Sequence, residues 1–118
     1  MLLDRRRRLY HIVTMKDAPP VDAATALAWI QEATLNGRYV VDGHFLMRSR
    51  QRRISLQDAK HAIFHATKCA EYHAQQPPLA GGTSWRVTGP DLDGQATSIG
   101  IEAFVDHLGR RTLLITVF

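Results

Sequence analysis

The sequence predicts an α+β fold: N-terminal helices packed on one face of a C-terminal antiparallel sheet of about four strands. Apolar residues recur at helical spacing up to about residue 66, while beyond residue 69 they alternate with polar ones in short runs. Pro- and Gly-rich turn markers separate those runs. At 118 residues, 45% of them hydrophobic, the chain can bury one modest core and is read as one domain.

Residues 1–20 combine Arg5 to Arg8 with Pro19-Pro20 and hold no sustained period, so they read as a basic, partly ordered arm ahead of a domain at 21–118. Asp22 is a candidate N-cap for a helix whose apolar line is Ala23, Ala26, Leu27, Ile30 and Ala33, with Asn36-Gly37 as its stop. Trp29, at the edge of that line, reads as a packing residue. Residues 38–43 form a short β-prone linker, and the basic segment after it predicts one to three helical turns. Ser55, with Asp58 three residues on, opens a third helix that buries Leu56, Ala59, Ile63 and Ala66 and ends near Lys68. Alternation then predicts strands at 69–75, 84–89, 97–106 and 111–118. The first three are separated by the loop Gln76 to Gly82 and by a turn running from Gly89-Pro90 to Gly94.

The net charge of +4 is local. Four charges sit in Arg5 to Arg8, and a second cluster comprises Arg48, Arg50, Arg52 and Arg53, with Asp42 the nearest acid upstream. Twelve of the fifteen basic residues are arginine, whose planar forks grip phosphate or carboxylate. Nucleic acid is therefore the leading partner class and an acidic protein the next. No apolar run approaches the roughly 20 residues that cross a bilayer, so no membrane contact is expected and a cytoplasmic location is. The single cysteine, Cys69, permits neither an intramolecular disulfide nor a cysteine-based metal cage. His61 and His65 have the spacing of a two-histidine metal pair, but Ala62 follows His61 where a zinc protease has Glu; no metal or other cofactor is expected.

The densest chemical pattern is His44-x-x-x-Arg48-x-x-x-Arg52. On a helix, residues four apart differ by only about 40° around the axis, so the three share a stripe. Such a stripe brings a titratable imidazole beside permanent guanidiniums, as acid–base chemistry at a phosphodiester requires. A solvated basic turn has the same spacing. If Tyr72, Trp85 and Val87 point toward the helices, the alternation places Glu71, His73, Arg86 and Thr88 on the open sheet face, with Thr116 joining from the last strand. A base there could take the ribose 2′-OH proton while arginine steadies the phosphorane. His73 and His107 also read as plain surface histidines.

The order His44, Arg48, Arg52-x-Ile54-Ser55, a helix, Cys69-Ala70-Glu71-Tyr72, Trp85-Arg86-Val87-x-Gly89 and the closing Leu114-Ile115-Thr116-Val117-Phe118 resembles a family of small bacterial domains grouped with RelE, BrnT and MqsR-type toxins. The resemblance covers about residues 38–118. It implies a RelE-like fold and metal-independent endoribonuclease activity of the mRNA-interferase kind, with an antitoxin or other acidic protein as partner. By position it makes His44, Glu71 and Arg86 catalytic, and Arg48, Arg50, Arg52, Arg53 and Thr116 RNA- or phosphate-binding. Residues 1–37 lie outside the shared core, and no lysine-rich ribosome-facing surface is evident. Two other readings fit the same residues: a non-catalytic module that docks nucleic acid or an acidic protein, and an internal network tying helices to sheet. Both a monomer and a homodimer are open to the chain.

Overall fold

The computed structural model describes residues 18–73 and 77–118. The expected arm, apart from its last three residues, and the end of the first expected strand lie outside the described residues. Among the described residues the fold is α+β, with three helices and a five-stranded mixed sheet. In chain order the elements are α1 (Ala23–Leu35), β1 (Tyr39–Val41), α2 (Gly43–Arg52), α3 (Leu56–Phe64), β2 (Lys68–Glu71), β3 (Thr83–Pro90), β4 (Ala96–Asp106) and β5 (Gly109–Val117). The strand order is β1-β5-β4-β3-β2.

Local signals set most boundaries. The Asp22 carboxylate accepts the Thr25 N–H at 2.9 Å to start α1, and Gly37 takes φ +74° just past its end. Ala26, Trp29, Ile30 and Ala33 of α1 are buried, and the Trp29 indole N–H donates to the Arg111 carbonyl at 3.0 Å, so Trp29 is a core residue. Ser55 and Asp58 form a reciprocal capping box at α3.

Asp58 also accepts the Leu92 N–H at 3.1 Å, which ties α3 to the β3–β4 turn. The Ser55 amide above all, then the Leu92 amide and the Ser55 hydroxyl, hold its carboxyl below the ordinary 3.8. A depressed carboxyl contributes stability that is whole above its unfolded pKa and is lost as pH falls through the folded one. Asp58→Asn should therefore lower the urea midpoint at pH 7, and the gap from wild type should shrink as pH falls below the ordinary 3.8; an unchanged gap would remove Asp58 from acid unfolding.

Besides β2, which ends at Glu71 and so stops short of the strand expected over 69–75, three boundaries differ from the sequence expectation. β1 is a strand rather than a linker, because it finds a parallel partner 73 residues away in β5, Tyr39 facing Thr112 and Val41 facing Leu114. The sheet is accordingly mixed, not antiparallel throughout. Helix α3 stops at Phe64, since Thr67 and Lys68 are drawn to Thr88. Gly89 and Pro90 extend β3 instead of turning it; a Cβ on Gly89 would stand 2.0 Å from the Ala62 carbonyl oxygen, so glycine is what lets β3 approach α3. The turn itself is held by Asp91, whose carboxylate accepts the Asp93 and Gln95 amides at 2.9 Å each.

Helices α1 and α3 cover the face that carries Trp85, Val87, Ile99, Ile101 and Leu114. Helix α2 meets the sheet along β5, held by Phe45, its one buried residue. The register then decides what the opposite face carries. Trp85 and Val87 point to the helices as expected, but Glu71 pairs with Trp85 and Ala70 with Arg86. Paired residues of antiparallel strands share a face, so Glu71 belongs to the helix side and Tyr72 to the open side, the reverse of the expected assignment.

Candidate functional site

The open face centres on a shallow row. Arg86 faces Gly100, and Gly100 faces Thr116. Because Gly100 has no side chain, the Thr116 methyl and the Phe118 ring close over it; a Cβ there would meet them at 2.8 and 3.3 Å. The Arg86 guanidinium sits 4.3 Å above the Phe118 ring centre, a cation–π contact, and Tyr72 meets the same ring edge-on at 5.1 Å.

Beside this row lies a cavity of about 370 Å³, lined by Asp42 and His44, by Tyr72 and Ser84, by Ile115 and Thr116, and by Pro77, Pro78 and Leu79 of the connecting loop. A β-bulge shapes its wall. Gly100 pairs with Thr116 and Ile101 with Leu114, leaving Ile115 as the extra residue.

His44 enters through α2. Asp42 caps that helix by accepting the His44 N–H at 3.0 Å. The imidazole Nδ1 then lies 3.3 Å from the Ile115 carbonyl oxygen. A carbonyl only accepts, so Nδ1 carries the proton, and in the neutral ring Nε2 is left as the basic atom. One turn on, Arg48 Nε donates to the Val117 carbonyl at 3.3 Å and its NH1 donates to Gln51 at 3.2 Å.

The pairing has a simple metric origin. Four helical residues rise about 6.0 Å and two strand residues about 6.7 Å. Side chains at i and i+4 of α2 therefore match the carbonyls at Ile115 and Val117, where β1 has ended and β5 would otherwise present an open edge. The His44–Arg48 spacing is thus first an edge cap.

The remaining candidates fall in different places. Arg50, Arg52 and Arg53 are exposed at the C-terminal end of α2, where cations complement the helix dipole. Arg52 and Arg53 line a separate polar cavity of about 360 Å³ with Asp91, Asp93 and Gln95. Arg52 is about 12 Å along the axis from His44. Thr116 is buried and supplies its methyl to the row. Glu71, exposed on the helix side, is 3.5 Å from His73 and is not brought together with Arg86. His61 meets the Pro90 carbonyl at 2.8 Å, and its ring centre lies 4.4 Å from that of His65 with the planes tilted by 39°. Among the described residues no three His, Cys, Asp or Glu side chains gather as a metal site, and no helix is long and apolar enough to cross a membrane.

Sequence reasoning missed Tyr72, Ser84 and Asp42 as cavity residues. Tyr72 was legible only through the register. Asp42 carried a signal of its own, as a capping residue directly before a basic helix. Comparison with known protein families, curated proteins and solved structures finds no match.

Proposed function

We propose that this chain binds single-stranded RNA on its open sheet face and cleaves it by side-chain acid–base chemistry, with His44 as the proton-transfer residue. The observation that carries this reading is the His44 ring: oriented by the Ile115 carbonyl, exposed, and set on the rim of a cavity beside an arginine-capped aromatic row. In this scheme His44 Nε2 takes the ribose 2′-OH proton and the 2′-oxygen bonds to phosphorus. The bond from phosphorus to the 5′-oxygen breaks, and the leaving oxygen takes a proton from the Tyr72 phenol. A 2′,3′-cyclic phosphate and a 5′-hydroxyl result. In the same scheme Arg86, which with Tyr72 contacts the Phe118 ring, supplies guanidinium charge to the phosphorane, and Arg50, Arg52 and Arg53 hold phosphates further along the strand. The residue order resembling the toxin-type domains points the same way. Glu71 has no part in this scheme, because it stands on the other face.

A second reading, RNA binding without cleavage, is favoured by Arg48, whose guanidinium is engaged by Val117 and Gln51. The two part on one assay. The purified chain in EDTA should convert a labelled single-stranded RNA to cyclic-phosphate products, and its binding should weaken with salt at a log–log slope of about −2 to −3, three or four phosphates being neutralised. RNA left intact despite salt-sensitive binding would leave only the second reading. Binding indifferent to salt would remove both.

A further inference from the structure

Glu102 is wholly buried, yet it lies on the sheet face turned away from the helices, between Ser84 and Leu113 in register. Its carboxylate takes three contacts from the loop that crosses that face. The Ala80 N–H donates to both oxygens, at 3.1 and 2.8 Å, and the Gly82 N–H donates at 2.9 Å. Gly81, between them, has φ +72°, the left-handed conformation that turns neighbouring amides toward one point. The loop thus forms an amide nest, and the anion in it belongs to the protein itself.

Fit is tight on the strand side. A Cβ on Gly82 would come within 2.0 Å of the Ala103 carbonyl oxygen, so loop and strand touch backbone to backbone there. Among the described residues, the outer side of the loop is open. Leu79 is 61% exposed, and Pro77 has no N–H to donate. Yet Pro77, Pro78 and Leu79 form one wall of the His44 cavity. The position of that wall therefore depends on a carboxylate that itself lines neither the cavity nor the aromatic row.

We infer that Glu102 is a positioning residue for RNA binding: by anchoring Ala80 and Gly82 it holds the Pro77–Leu79 wall against the cavity that His44 and Tyr72 line. The inference rests on the RNA reading above. It predicts a division of effects, because a wall contributes equally to ground and transition states. Glu102→Gln keeps the shape, removes the charge and turns an amide donor toward amide donors.

The test follows amide exchange at Ala80 and Gly82, together with the kinetics of cleavage of a single-stranded RNA oligonucleotide. In Glu102→Gln, exchange at both amides should rise about tenfold or more and KM should rise about tenfold, with kcat within about twofold of wild type. Glu102→Asp, which retains the charge, should recover part of the KM. Should Glu102→Gln fail to fold, Ala80→Pro removes the twice-used donor from the exposed side and should raise KM in the same way. Faster exchange with unchanged KM overturns the inference and leaves a loop anchor only, as does unchanged exchange. A fall in kcat alone also overturns it. Wild-type protein that neither binds nor cleaves the RNA overturns the functional reading and this inference with it, an outcome visible before any variant is made.

Discussion

His44→Ala is expected to lower RNA cleavage by about 10²- to 10⁴-fold, the usual contribution of a positioned acid–base group, while leaving the domain folded. The two halves of that expectation have separate causes. Folding survives because the side chain is exposed and contributes one hydrogen bond, to the Ile115 carbonyl, worth about 0.5–1.5 kcal/mol. Activity is expected to be lost because, among the described residues, no other imidazole lines the cavity. His44→Gln sharpens the result: its amide can still donate to Ile115 but cannot carry a proton between substrate and solvent. Both variants should keep a urea midpoint close to wild type and lose the cyclic-phosphate product in EDTA. Cleavage by His44→Ala at the wild-type rate would end the role assigned to this residue.

Phe45→Ala should give the largest loss of stability, about 3–5 kcal/mol, as expected for deleting a buried phenyl ring. Phe45 is 1% exposed and is the one buried residue of α2, so it carries most of the apolar attachment of that helix to the core. The other ties on that side, His44 to Ile115 and Arg48 to Val117, are long hydrogen bonds within reach of water. Urea unfolding followed by tryptophan fluorescence reads the effect directly, since Trp29 and Trp85 both lie in the same core. Phe45→Leu, which refills most of the volume, should cost much less. Cleavage by the folded fraction of Phe45→Ala should also fall, because the same helix presents His44. A stability loss of less than about 1 kcal/mol would mean that α2 is held by its edge contacts instead.

Read along the chain, helices with their caps are largely local events, and they were legible. Asp22, Asn36-Gly37 and the Ser55–Asp58 box act within one turn of backbone, so residues close in sequence suffice to place α1 and the start of α3. The alternation of Trp85, Val87, Ile99 and Ile101 likewise identified the buried face of β3 and β4. Strand pairing is another matter. β1 has only three residues, too few to announce a strand, and its identity comes from β5. The reach of α3 and the fate of Gly89-Pro90 were also settled by partners, Thr88 and Ala62, that lie elsewhere in the chain.

The candidate site divides along the same line. Period and residue type by themselves determined that His44, Arg48 and Arg52 share one stripe of a basic helix, and that Arg86 and Thr116 belong to strands with an exposed side. Tertiary structure decided the rest. Register sent Glu71 to one face and Tyr72 to the other, the bulge at Ile115 aligned a carbonyl with the His44 ring, and packing hid Glu102 beneath a loop. The physical reason is the two-residue period of a strand: a shift of one position in pairing exchanges every side chain between faces, and that shift is set by hydrogen bonds between segments far apart in the chain.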